Sequence, residues 1–351
     1  MQKLPTQSEI ASVVERYVDA APAVPGVCVA IDGPDDRLLS VARGFADPAA
    51  GVSMTADHAV RIASCTKTFV ASVVVDLAGR GMLDLDQPAI EVAPAEVAAL
   101  LDTHETGRVF TVRHVLQHRS GLVDHTLFPE FLEPFRNDPD YEWTALAQLA
   151  IATRQPALYA PGEAFSYSDT GYVLLGEIIE GLTGGTLAAA VRTTSHLDES
   201  GVPSIHWERA EPTPPGLQRA HQFLDSVDTY DWNPTLDMFG GGGIVATMPD
   251  LARWWTALFE GRAHEHLDVQ LADPQPTVGP GPDIGVEDVG LGIFRRHVDG
   301  VEVWSHGGFW GLQTLHIPAI RTSAALVITA RGEDIPGPGV LADEVVRALV
   351  A

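Results

Sequence analysis

Strand-like runs sit near the two ends of this chain, and a long helical stretch separates them. Val27–Ile31 and Leu38–Val41 are apolar runs flanking Gly33-Pro34-Asp35-Asp36, a turn signal that predicts a hairpin. Far downstream, Val289–Arg296, Val301–Ser305, Leu312–Ile317 and Ala325–Ala330 carry strand character again. Between them, helical patterns recur around 94–101, 111–118, 144–153 and 171–182, separated by loops bearing Pro and Gly. Helical spacing also marks residues 7–21 (Ile10, Val13, Val14, Tyr17 and Val18) and Leu341–Val350. A sheet built from such distant segments has to close around the insert. The order predicts an α+β fold, an antiparallel sheet flanked by helices with an inserted, mostly helical lobe. The expected division is residues 1–75 plus 240–351 for the sheet domain and 76–239 for the helical domain. The active site is expected in the cleft between them.

Ser64 lies where the first sheet segment hands over to the insert. Val60–Ala63 reads as a short strand. Phe69, Val70, Val73, Val74 and Leu77 then recur at helical spacing, and Gly79-Arg80-Gly81 closes that helix. Ser64 and Lys67, three apart, share a helix face, so hydroxyl and amine can approach each other. A serine hydroxyl needs a base to take its proton. A lysine in an apolar helix loses its charge readily and can be that base. The chain has 22 basic residues, of which only Lys3 and Lys67 are lysines. Arginine cannot take this role, because it keeps its proton near neutral pH.

Other stretches carry candidate chemistry alongside plainer structural readings. Phe165–Tyr172 opens an apolar helix with Ser168 or Asp169 as N-cap, and Tyr167 beside a lysine ammonium would have a lowered pKa and share the base work. Trp304–Gly311 follows a strand. There His306 can bond substrate or move a proton, while Gly307 and Gly308 let backbone approach a ligand and offer N–H groups to an oxyanion. The same residues also read as a capped helix and a glycine-rich strand end. His114 and His118, four apart, with His125 beyond, have a zinc-like spacing, but no His-Glu-x-x-His accompanies them and Arg113 and Arg119 interleave. No metal and no cofactor are therefore expected. Gly240–Gly243 lacks a phosphate-loop continuation and reads as a mobile, close-packed loop. Cys28 and Cys65 read as two reduced thiols.

Composition narrows the partners. The 351 residues are 45% hydrophobic and carry a net charge of −25. That balance argues against nucleic acid and anionic membrane. No apolar segment follows Met1 and no run of 18 apolar residues occurs, so a cytoplasmic location is expected. Oligomeric state is not legible.

Ser-x-x-Lys, Tyr-Ser-Asp and His-Gly-Gly, in this order, resemble the serine β-lactamase and penicillin-binding-protein-like hydrolases, nearest to the class C-like branch. Thr111–Leu122, Tyr159–Gly162, Ser166–Gly176 and Gly241–Leu251 extend the likeness to roughly residues 7–348. Arg61–Lys67 and Ser166–Leu174 look most like a D-amino-acid amidase, close also to D-aminopeptidases. The resemblance implies a β-lactamase-like fold with Ser64 as acylated nucleophile, and Lys67 and Tyr167 as base and acid. The N–H groups of Ser64 and Phe309 would form an oxyanion hole, and His306 would line the cleft. One departure is Asp169, where the family usually has Asn. Its charge should hold Lys67 protonated, move base duty toward Tyr167, and attract a substrate ammonium. The expected partner is a small amide or ester, foremost a D-amino-acid amide or short D-peptide. An esterase, lactonase or acyltransferase is the alternative. A β-lactamase, a DD-carboxypeptidase or a non-catalytic binding protein is disfavoured.

Overall fold

The computed structural model describes residues 4–34, 37–138, 140–281 and 284–351. Its main sheet draws strands from both ends of the chain. Among the described residues it has nine strands, in the order Val52–Ser53, Arg37–Asp47, Gly26–Gly33, Thr322–Ile328, Leu312–Ile317, Val301–Gly308, Phe294–Val298, Asp288–Val289 and Gln275–Pro276. Every pairing in it is antiparallel, as expected. The N-terminal hairpin meets the C-terminal strands through Val27 opposite Ile328 and Ile31 opposite Ala324. Gly26–Gly33 and Arg37–Asp47 form the expected hairpin, though Asp35 and Asp36 of its turn lie outside the described residues.

Period-two alternation sends the central strands' side chains to two cores. Val27, Val29, Ile31, Leu326 and Ile328 pack with the Gln7–Ala20 and Pro338–Val350 helices. Cys28, Ala30, Ala325 and Val327 face the other way, into the core that holds the Thr66–Gly79 helix. Burial of each large apolar side chain contributes about 1.5–3 kcal/mol, so these two layers account for most of the fold's cohesion. The Gln7–Ala20 helix starts at a Thr6–Glu9 capping box, and its buried stripe is Ile10, Val13, Val14 and Tyr17.

The expected insert helices are present as Ala95–Asp102, Val112–Leu116, Ala145–Thr153 and Asp169–Thr183. Among the described residues four helices lie beyond those expected, Pro129–Asn137, Leu187–Thr194, Leu267–Leu271 and Met248–Phe259. The last packs Trp254 and Trp255, both fully buried, beneath the sheet, and Phe69 of the serine helix stacks on Trp254. A small second sheet pairs Ala59–Arg61 with Ile244–Thr247, and Ile244–Thr247 with His206–Trp207. It fixes the chain just before Ser64. Among the described residues no single helix is long and apolar enough to cross a membrane.

Candidate active site

Ser64 sits in a tight 3₁₀ turn, Ala63–Cys65, that leads into the Thr66–Gly79 helix. Ala63 has φ 46°, the left-handed region that L-residues with a Cβ avoid. Such a conformation costs about 1–3 kcal/mol and persists only where the surroundings enforce it. Here they do. Ile62 N–H donates to Ile244 O at 3.0 Å, and Ile62 O faces Gly308 so closely that a Cβ there would come within 2.4 Å of it. Gly308 is thus required by packing. At Gly307 the nearest atom to an added Cβ is Gln313 Oε1 at 3.4 Å, so that position is open rather than crowded.

Lys67 is completely buried and its three ammonium protons have three acceptors. Nζ donates to Ser64 Oγ at 2.9 Å, to Gly241 O at 2.6 Å, and to the Asp169 carboxylate. Burial works to lower the Lys67 pKa, but Asp169, Tyr167 and Asp237 together outweigh it, and the net shift is upward. The resting amine is therefore charged. The expectation that an apolar helix frees this lysine of its proton is corrected, because the sequence does not reveal how many negative groups fold onto it. The expectation that Asp169 would hold Lys67 protonated agrees with the direction found.

Tyr167 also needs correction. Its hydroxyl is buried with no hydrogen bond of ordinary geometry. Burial raises its pKa, and the pull of Lys67, whose Nζ lies 5.2 Å from the ring centroid, is too weak to reverse that. The phenol is neutral at rest, not a lowered-pKa base. Behind it, His118 stacks on the ring at 4.3 Å.

His306 lies near the end of the Val301–Gly308 strand, with Nδ1 donating to Gly307 O at 2.7 Å and Nε2 unpaired. Burial first, and then Lys67, push its pKa down to about 3, so the ring is neutral. Phe309, in the turn after this strand, is 42% exposed, and Arg331 sits over its ring at 4.6 Å. Asp169 opens the Asp169–Thr183 helix; Ser168 is its N-cap but supplies no side-chain cap bond.

The structure thus brings Ser64, Lys67, Tyr167, Asp169 and His306 to one place. It parts His114, His118 and His125, whose Nδ1 atoms meet Thr111 N, Ser168 N and Thr170 Oγ1 respectively. Cys28 and Cys65 are free and buried, with both thiols pushed up to about 12 by that burial.

Two acidic residues were missed. Asp237 and Asp124 both face the Lys67–Asp169 pair, and burial, with Asp169, raises each to about 7. Asp237 Oδ1 and Asp169 Oδ1 each lie 3.1 Å from where a Cβ on Gly241 would sit, and Lys67 Nζ lies 3.6 Å from it. Gly241 has no Cβ, and that lets this charge cluster close. The glycine run is close-packed as expected, with Gly240 against Tyr172 O and Gly243 against the Trp207 ring. Its place three residues after Asp237 is the signal available.

The model of the family described as Beta-lactamase matches residues 14–345. The chain belongs to the β-lactamase family. Within that family it is 27% identical to a D-aminopeptidase of Brucella ovis over 345 residues, 91% of this chain and 60% of that protein. The chain thus spans about three fifths of the length of the curated relatives it matches first. An esterase, EstB, of Burkholderia gladioli is 35% identical over 165 residues, 44% of this chain and 40% of that one. Among solved structures, the D-amino acid amidase from Ochrobactrum anthropi SV3, crystallised with L-phenylalanine amide, superposes with a TM-score of 0.82 at 25% identity. The match covers 97% of each chain. The β-lactamase-like fold and the relation to the D-stereospecific amidase branch, both expected from the motifs, hold.

Proposed function

We propose that this protein is a serine hydrolase that cleaves a small amide, a D-amino-acid amide or short D-peptide, through a covalent acyl-Ser64 intermediate. The observation that carries the reading is Lys67 Nζ at 2.9 Å from Ser64 Oγ, with its other protons held by Asp169 and Gly241. The site would lie in the cleft between a sheet lobe (1–75 and 240–351) and a helical lobe (76–239).

In the resting state Lys67 and Tyr167 both hold their protons, so Lys67 must first give one up, a step that an activated neutral ester waits for and an amino-acid substrate speeds. A free α-ammonium settling against Asp169 cancels the negative charge that holds the Lys67 proton. Lys67 then passes a proton to the neighbouring Asp237, whose raised pKa makes it the better acceptor, and the neutral amine takes the Ser64 proton as Oγ attacks the carbonyl. The N–H groups of Ser64 and Phe309 take the developing oxyanion. Tyr167, still protonated, gives its proton to the leaving nitrogen and recovers one from Lys67. Lys67 then takes back the proton lent to Asp237. One proton has moved from Ser64 to the leaving group, and Ser64 carries the acyl chain. Water releases it by the reverse route.

Relatives named D-aminopeptidase and D-amino acid amidase support the substrate class. The matching segment of esterase EstB supports the alternative, an ester substrate or an acyl acceptor other than water. Ammonia release from D- and L-phenylalanine amide, with Ser64→Ala as control, decides between them. Release from the D form alone, abolished in the variant, supports the amidase. Acylation by an activated ester with no ammonia from either amide supports the esterase or acyltransferase.

A further inference from the structure

We infer that Gln222 is a positioning residue that sets the distance between the two halves of the oxyanion hole. The inference rests on the reading above, in which the Ser64 and Phe309 N–H groups form that hole. Those groups come from segments far apart in sequence, the turn before the serine helix and the turn after the Val301–Gly308 strand. An oxyanion hole works only when both donors point at one spot, within a few tenths of an ångström.

The Gln222 side chain spans the two segments. Arg61 N donates to Gln222 Oε1 at 2.9 Å, and Gln222 Nε2 donates to Arg61 O at 3.1 Å and to Trp310 O at 3.0 Å. The carboxamide oxygen faces an N–H and its nitrogen faces two carbonyls, so only one orientation of the amide satisfies all partners. Arg61 lies three residues before Ser64, and Trp310 directly follows Phe309.

The brace is itself held rigidly. Gln222 is 3% exposed, and its carbonyl accepts from Thr229 N at 3.0 Å and from Thr229 Oγ1 at 2.7 Å. On either side, His221 N donates to Ala46 O and Phe223 N to Thr329 O, each at 2.8 Å. Further ties lie to either side of the Phe309 turn, at Cys65 Sγ to His306 O, 3.3 Å, at the Gly308–Ile62 contact, and at Thr314 Oγ1 to Cys65 Sγ, 3.9 Å. Gln222 alone of these reaches the turn itself, at Trp310 O, and its hydrogen-bond partners, Arg61, Trp310 and Thr229, are not reacting groups.

The test measures p-nitrophenyl acetate turnover and inhibition by phenylboronic acid, which forms a tetrahedral adduct on an activated serine. Ser64→Ala, Gln222→Met and Gln222→Glu are compared with the unaltered chain. For Gln222→Met the expected result is a kcat lower by about ten- to hundredfold at little-changed KM, with boronate affinity weakened by a similar factor. Gln222→Glu keeps the volume but sets a carboxylate against two carbonyls. Its loss should be partly regained at acid pH, relative to the unaltered chain at the same pH, where the carboxyl can donate again. Unchanged kcat, a kcat loss with boronate affinity intact, or a change confined to melting temperature would overturn the inference. If Ser64→Ala keeps turnover and boronate binding, the hydrolase reading itself fails, whatever the Gln222 variants do.

Discussion

Lys67 donates to Asp169 from a fully buried position, while the Asp169 side chain keeps 20% of its surface open. One member of this ion pair is sealed into the core and the other keeps an open face. A charge arriving from outside therefore meets Asp169 first, and alters Lys67 through it. An Asn at this position would carry no such charge.

Asp169→Asn tests that coupling. Loss of the carboxylate lowers the Lys67 pKa and frees the amine, so turnover of a neutral ester should persist or rise. Turnover of an amino-acid amide should fall by about tenfold or more, since a charged hydrogen bond is worth about 1.5–3 kcal/mol. Parallel kcat/KM measurements on p-nitrophenyl acetate and D-phenylalanine amide check this, and equal effects on both would sink it.

Lys67→Arg keeps a positive charge beside Asp169 but cannot give up a proton. Acylation should slow by about 10²–10⁴-fold, the usual worth of a general base. A stopped-flow burst with p-nitrophenyl acetate measures it. A burst rate within threefold or so of the unaltered chain would remove Lys67 from the base role.

The pH dependence has two opposed parts. His118, His125, His306 and His316 are buried and neutral, with pKa values pushed below the usual histidine range mainly by burial. Each gains a proton on unfolding as pH falls below about 6.5, so each makes the fold less stable toward acid. Asp124 and Asp237 act the other way. Their folded pKa near 7 exceeds the unfolded one, so their contribution is present at low pH and lost as pH rises through about 7. His316, stacked on Phe259 at 3.9 Å, stands apart from the Ser64 site. His316→Gln should move the acid-unfolding midpoint to lower pH without changing kcat, and Asp237→Asn should stabilise more at pH 8 than at pH 5. Circular dichroism melts across that range check both signs.

Gly307 and Gly308 should answer differently to the same change. Gly308→Ala drives a methyl into Ile62 O, displaces the turn before Ser64, and should cost both melting temperature and kcat. Gly307→Ala has room in the protein and should fold normally, with a raised KM if substrate runs along this strand. Melting curves paired with steady-state kinetics separate the two.

What could be read from the chain was set by distance along it. Ser64 and Lys67 lie within one helical turn, so their meeting follows from helix geometry alone. The Ser-x-x-Lys, Tyr-Ser-Asp and His-Gly-Gly stretches marked the segments that converge. The charge states did not follow, because they depend on which other groups arrive. Asp237 comes from 170 positions after Lys67, and only the missing Cβ of Gly241 hints at its approach. Tyr167 was misjudged for the same reason, since burial outweighs a neighbouring lysine only when the surrounding walls are known. Gln222 joins Arg61 across 161 residues and Trp310 across 88, through a residue type that carries no motif. The Met248–Phe259 helix was within reach, since Leu251, Trp254, Trp255 and Leu258 have helical spacing.

Covalent chemistry at Ser64 is the central claim, and intact-mass spectrometry after mixing with p-nitrophenyl acetate tests it most directly. A single acetyl adduct is expected that maps to the peptide containing Ser64, appears in a burst, and is absent from Ser64→Ala. Turnover without any adduct at Ser64, or an adduct that persists in Ser64→Ala, would contradict it.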